Sequence, residues 1–371
     1  MKIDRISIFA IDLPYVDGAY GFARHRSVAV ADSTVVRIET DEGVTGWGEC
    51  CPLGACYLPA YAEGLRAGVA KLAPGLIGLD PTRLGALNRH LDQDLEGHPY
   101  VKSAIDVACH DILGQAAGVP VHTLLGGRQN DGMPMYRSIG QAPPDEMAEL
   151  TSRYREAGYR QFQLKVGGEV EDDIQRIRRI VDAKRGHELV LCDANRGWRK
   201  DEAVRVVNGT EGLDYILEQP CAAYHDSLSV RRRANQPFKL DESLKTLDDV
   251  LLAIADDAME YACIKVGKHG GLTKARLLRD LCAARGIAMT VEDTWGGDLV
   301  TAAHAHLAVS TPPEALLNTT DLHNYNTVHF AEGTPENRAG ALFVSDRPGL
   351  GVTVDQDRLG PPVGVFSDRA Q

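Results

Sequence analysis

Two lysines sit in the same short setting far apart in the chain, Lys165 in "QLKVGG" and Lys265 in "CIKVGKHGG". Between them, "LVLCDAN", "YILEQPC" and "FKLDES" bring Asp193, Glu218 and Asp241 to the ends of apolar runs. Each residue type has an ordinary use at such a place. A lysine near a strand end usually extends its ammonium to water, and an acid there often caps the next helix. The ordered series Lys, Asp, Glu, Asp, Lys asks for more than coincidence. Three carboxylates gathered at one place repel one another unless a cation joins them. Hard oxygen donors without histidine or cysteine favour Mg²⁺, which keeps positions open for water and substrate. Such an ion would stabilise the second negative charge that builds on a substrate carboxylate when its α proton leaves. A lysine, with an ordinary pKa of about 10.4, would be drawn toward a general-base range by cationic neighbours. Two lysines on opposite faces can then pass a proton from one face to the other, which is racemisation. Alternatively, one removes a proton while the other protonates a leaving group, which is anti elimination.

That chemistry needs elements that deliver one residue each. Apolar strand-like runs recur at 134–139, 161–166, 188–193, 214–218, 237–241, 261–266, 287–292 and 315–319. Amphipathic stretches such as "DDIQRIRRIVDAKRG" and "LTKARLLRDLCAARG" separate them. The pattern predicts a modified (β/α)₈ barrel, whose site lies at the C-terminal strand ends. A doubly wound sheet is the rival, but "SIGQAPPD" after the first strand is not a phosphate-binding glycine turn. In the barrel, Lys165 ends strand 2 and Lys265 ends strand 6, so they face each other, with Asp193, Glu218 and Asp241 on the strands between.

Upstream, "KIDRISIFAIDL", "STVVRIETDEG" and "VTGWGEC" read as antiparallel strands, and residues 58–118 as helices ending at Gly118 and Pro120. The expected organisation is an α+β capping domain over 1–125, the barrel over 126–320, and a segment over 321–371 that returns to the cap. The formal net charge of −12 argues against nucleic acid as a partner. No apolar run reaches the roughly 20 residues of a membrane span, and the N-terminus reads as a strand, not a secretory signal. The eight cysteines show no CxxC pair, so buried reduced thiols in a cytoplasmic protein are expected.

The motifs "QLKVG", "DANRGW", "EQPC", "LDES" and "IKVGKHGGLTKA" resemble the enolase superfamily, in its muconate-lactonizing-enzyme-like branch. The resemblance spans nearly the whole chain. It implies a Mg²⁺ cofactor on Asp193, Glu218 and Asp241, acid/base roles for Lys165 and Lys265, and Asn195 and Glu242 just behind the metal ligands. Two departures stand out. The family's Lys-x-Lys of strand 2 is Gln163-Leu164-Lys165 here, and no histidine ends strand 7 or 8, unlike the mandelate-racemase-like branch. The stretches "ECCPLGACYLPAYA", "GHPYVKSAIDVACHD" and "EDTWGGDLVTAA" resemble most closely the cis-3-hydroxy-L-proline dehydratases and, next, the betaine 2-epimerases. A small amino-acid substrate and a homo-oligomer are therefore expected. Trp295 with Asp293 and Asp298 would suit a cationic ring nitrogen, Gln163 would face the substrate, and Tyr57 would close over it.

Overall fold

The computed structural model describes residues 1–367. Its first layer is an antiparallel sheet of Ile3–Pro14, Val30–Thr40 and Thr45–Cys50. The strand Gly364–Ser367 adds to its edge by pairing with Ile3–Pro14, so the end of the described chain returns to the beginning. The helices Ala62–Leu76 and Pro99–Ala117 pack on this sheet, and Leu84–Asp94 packs on Pro99–Ala117. The last helix buries Ile105, Ala108, Cys109 and Ile112 completely. It stops at Gly118, whose φ of +69° is open to glycine without a Cβ penalty. A small hairpin, Tyr20–Phe22 with Arg26–Val28, escaped the sequence pattern because its strands are three residues long.

Eight parallel strands follow: Tyr136–Ile139, Gln161–Lys165, Leu189–Asp193, Ile216–Glu218, Phe238–Leu240, Tyr261–Lys265, Ala288–Glu292 and Leu316–Asn318. We number them 1 to 8. Each lies within two residues of its expected span. Strand 1 starts late because Met133–Pro134 pairs instead with Ala341–Phe343. The ring closes through a parallel bridge between Met135 and Thr319. The eighth unit is the modified one, since a 3₁₀ turn, Leu322–Tyr325, follows its strand where the other units carry a longer helix.

The crossover helix Val170–Val181 shows how sequence sets the strand ends. Val170, Ile177, Ile180 and Val181 form its buried stripe, with acids in the first turn and Arg178 and Arg179 in the last, as the helix dipole prefers. Its buried Asp173 accepts from the amides of Gly167 at 2.9 Å and Gly168 at 2.7 Å, and from Trp198 Nε1 at 2.9 Å. One carboxylate thus ties "KVGG" to "DANRGW" and fixes the ends of strands 2 and 3. Gly167 has φ +92°, and a Cβ there would stand 2.3 Å from the Ala194 carbonyl oxygen. The second "KVG" uses its glycine differently: a Cβ on Gly267 would meet the Asp293 carboxylate at 2.7 Å.

Candidate active site

Strand register sets the site. Lys165 pairs with Asp193, Asp193 with Glu218, and Glu218 with Lys239, so four charged side chains share one level of the barrel. Asp241 lies two residues beyond Lys239, on the same side of the chain. On strands 6 and 7, Lys265 pairs with Glu292. All of these side chains are buried.

Lys165 Nζ lies 2.5 Å from Asp193 Oδ2. Lys265 Nζ donates to Asp241 Oδ2 at 2.7 Å and to the Tyr57 hydroxyl at 2.8 Å, and Glu292 Oε1 lies 3.5 Å away. Lys268 holds the other Asp241 oxygen at 2.7 Å. Glu218 accepts from Gln163 Nε2 at 2.9 Å through Oε2. Its Oε1 lies 3.1 Å from Lys239 Nζ, at an angle that makes no hydrogen bond, so a buried carboxylate oxygen has no hydrogen-bond partner. Asn195 turns its amide N–H to Asp193 Oδ1 at 2.8 Å and its side chain to Glu242 at 3.2 Å.

The electrostatics record crowding. Burial, with the Asp193 and Asp241 charges, pushes the Glu218 carboxyl up to about 8 against the pull of Lys239. Burial would raise Asp241 too, but the Lys265 and Lys268 ammoniums hold it well below the carboxylate range. The protein's own groups act against a depression of the lysines, which would have to come from the cation. Burial opposes their charge, yet the Asp193 and Asp241 carboxylates raise Lys165 and Lys265, respectively, above the ordinary lysine value.

This donor set fits a hard divalent cation. Carboxylates arrive from three neighbouring strand ends, one oxygen is orphaned, and the unrelieved repulsion on Glu218 calls for positive charge. Ligand atoms of Glu218, Asp241 and Cys263 lie within 4.8 Å of one another. Asp193 falls outside that group, its carboxylate being turned to Lys165.

A small cavity between cap and barrel is lined by Lys165, Lys265, Gln163, Glu292, Asp293 and Trp295, and roofed by Tyr20, Phe22, Leu53 and Tyr57. Its free space of about 30 Å³ suits a water, not a ring. Trp295 donates from Nε1 to Asn326 at 3.0 Å and packs 5.0 Å from the Tyr20 ring. Asp293 accepts from the amides of Gly267 at 2.8 Å and Thr294 at 2.7 Å, and burial pushes its carboxyl up to about 6. Asp298 corrects the sequence reading: it is absent from the cavity wall. Its carboxylate accepts from the amides of Phe330 at 2.6 Å and Ala331 at 2.8 Å, and meets His329 Nδ1 at 3.1 Å.

Glu292, Lys239, Lys268 and Tyr136 were missed. Glu292 was findable, because in "AMTVE" it alternates inward with Thr290 and ends strand 7 as Lys265 ends strand 6. It accepts from the Tyr136 hydroxyl and from Cys263 Sγ. A larger surface depression of about 620 Å³, edged by Arg153, Arg155 and Arg179, has none of these residues in its wall. Seven cysteines are buried as expected, Cys56 is exposed, and none forms a disulfide. Among the described residues, no helix is long and apolar enough to cross a membrane.

Comparison with known proteins places this arrangement. The model of the mandelate racemase / muconate lactonizing enzyme N-terminal domain matches residues 22–126, and that of the enolase C-terminal domain-like family matches 146–358. A cis-3-hydroxy-L-proline dehydratase from Roseibium aggregatum is 51% identical over 367 residues, covering 99% of this chain and 100% of its own. A mandelate racemase/muconate lactonizing enzyme from Roseovarius nubinhibens has a crystal structure with a TM-score of 0.96 at 46% identity, covering 99% of this chain and 98% of that one. A second protein from that organism, a putative mandelate racemase/muconate lactonizing enzyme crystallised with magnesium, gives a TM-score of 0.95 at 37% identity, covering 99% and 100%.

Proposed function

From the premise that the chain belongs to the mandelate racemase/muconate lactonizing enzyme group of the enolase superfamily, we propose that it dehydrates cis-3-hydroxy-L-proline to Δ¹-pyrroline-2-carboxylate. The observation that carries the reading is the pair of buried lysines, Lys165 and Lys265, lining one cavity and ion-paired to different carboxylates. The similarity to the Roseibium dehydratase supports the choice of substrate.

Asp193, Glu218 and Asp241 are the residues that would hold Mg²⁺, with Asn195 and Glu242 behind them. Bound there, the ion supplies positive charge for the second negative charge that develops on the substrate carboxylate. In cis-3-hydroxy-L-proline the hydroxyl and carboxylate share a ring face, so the α proton lies on the opposite face. Loss of water is then an anti elimination, which one lysine cannot serve at both ends. Lys165 takes the α proton. Lys265 protonates the hydroxyl as the C–O bond breaks, and water leaves. The enamine that remains tautomerises to the cyclic imine. Lys265 suits the acid role because Asp241 and Glu292 hold its proton. Trp295 and Asp293 would receive the ring nitrogen through cation–π and charge attraction, and Gln163 and Tyr57 complete the wall around the ring.

Proton NMR in D₂O with a panel of substrates tests this. Loss of water from cis-3-hydroxy-L-proline with appearance of the imine is expected. Deuteration of a proline betaine at the α carbon without elimination would establish 2-epimerisation instead. Absence of exchange and elimination with every substrate would defeat the enzymatic reading.

A further inference from the structure

"DANRGW" contains an arginine to which the chemistry above gives no task. Arg196 follows Asn195 in the loop after strand 3, and both residues are left-handed, with φ of +64° and +41°. Such a conformation costs a non-glycine residue energy and persists only where its surroundings demand it. Here it turns the guanidinium toward the cap. Arg196 Nη2 donates to the Tyr57 carbonyl, and its guanidinium carbon lies 5.9 Å from the Tyr57 ring centre. Its Nε lies 3.5 Å from Glu242 Oε1, the residue after Asp241. The neighbouring carbonyl, Cys56 O, accepts from Arg26 Nη1 at 2.7 Å. Two arginines therefore grip consecutive carbonyls of the 51–60 segment.

Tyr57 does not point its hydroxyl into free space. It accepts from Lys265 Nζ at 2.8 Å and donates to Asp241 Oδ2 at 3.0 Å. With Phe22 packed edge-on against its ring at 6.0 Å, it roofs a cavity too small for a proline ring. Lifting the 51–60 segment would enlarge the cavity, and it would break both the Tyr57–Lys265 contact and the arginine grip. The grip is suited to reversal. The Arg196 side chain is 26% exposed, and its bond to Tyr57 is to a neutral carbonyl, so opening leaves water to satisfy both partners.

We propose that Arg196 latches the 51–60 segment over the cavity and that the latched Tyr57 hydroxyl is a positioning residue for Lys265. The Tyr57 part rests on the dehydratase reading, while the latch can be read without turnover. A lysine stem has four rotatable bonds, and a proton donor must meet the leaving oxygen in one orientation.

The test uses the full chain. In Arg196→Met, amide hydrogen exchange over 51–60 should rise about fivefold while the barrel strands stay unchanged, and Arg196→Lys should restore part of the protection. In Tyr57→Phe, elimination should fall about tenfold relative to α-proton exchange in D₂O measured on the same variant, a split that a merely structural role would not produce. Unchanged exchange over 51–60 in Arg196→Met overturns the latch. Equal losses of proton exchange and elimination in Tyr57→Phe, or no loss of elimination, overturn the positioning of Lys265. If the wild type does not dehydrate cis-3-hydroxy-L-proline, the functional reading fails, and amide exchange still decides the latch.

Discussion

Asp298 separates two accounts of the same acidic motif. As a substrate ligand, its loss would raise KM and leave stability alone. The structure says the reverse. Asp298 is fully buried at the first turn of the helix Asp298–Val309, and Oδ2 accepts from the amides of Phe330 and Ala331 at 2.6 and 2.8 Å. Asp298→Ala leaves the buried Phe330 N–H and the part-buried Ala331 N–H without their acceptor. At about 1–3 kcal/mol for the buried donor and about 1 kcal/mol for the one water can reach, the variant should lose about 2–4 kcal/mol of unfolding free energy. Asp298→Asn keeps an oxygen for those two amides and turns its NH₂ toward His329. It gives up only the charge-assisted part of the bonds, about 1–2 kcal/mol. Urea titrations followed by tryptophan fluorescence would measure both, and KM for cis-3-hydroxy-L-proline would be taken on the surviving fold. An alanine variant within about 1 kcal/mol of wild type and with a raised KM would refute this reasoning.

The metal, the lysines and a buried histidine give three more expectations. Asp193→Asn and Glu218→Gln should each lose activity and Mg²⁺ dependence together with circular dichroism unchanged, and full turnover by EDTA-treated protein without added metal would sink the metal assignment. Lys165→Ala should lose both α-proton exchange and elimination, whereas Lys265→Ala should keep exchange and lose product; the opposite pattern would swap the roles. His306 donates from Nε2 to Leu350 O at 3.1 Å and accepts the His122 amide at Nδ1 at 3.2 Å, so it is built to be neutral, and burial lowers it to about 3. Its depressed value contributes stability that is present above the unfolded pKa of about 6.5 and is lost as pH falls toward the folded value. Relative to His306→Gln, the wild type should therefore lose about 3 kcal/mol of stability between neutral pH and about pH 4, and parallel stability curves would contradict this.

Much of this architecture could be read in advance because parallel barrel strands are short, fully buried and separated by amphipathic helices. That rhythm fixed all eight strands and put Lys165, Asp193, Glu218, Asp241 and Lys265 at strand ends. What sequence could not show was which partner each group meets. "EDTWGGD" has three acids in seven residues, and their spacing gives no ranking. Glu292 ends a strand facing inward, Asp293 reaches back to the Gly267 amide, and Asp298 serves backbone 32 and 33 residues later. Lys239 was overlooked because it lies inside "FKLDES" rather than at its end, yet it is fully buried. Lys268, three residues beyond Lys265, holds Asp241. Contacts of this kind depend on cross-strand register, which periodicity does not encode.

The same distinction decides between the two lysines, whose local motifs are nearly identical. An acid must keep its proton until the leaving group arrives, and a base must present a free amine. Strand register pairs Lys265 with Glu292, a carboxylate outside the proposed metal ligands, and the cap adds the Tyr57 hydroxyl. Its charge therefore has support that does not depend on Asp241. Register pairs Lys165 with Asp193, its one carboxylate partner at ion-pair distance among the described residues, and Asp193 is among the residues assigned to the cation. An Asp193 carboxylate shared with a divalent ion would hold the Lys165 proton less firmly, which would lower the lysine toward the range where it can accept one. On the proposed reading, the difference in role would come from what the neighbouring strand carries at the same level: a carboxylate that stays with Lys265, and one that Lys165 would share.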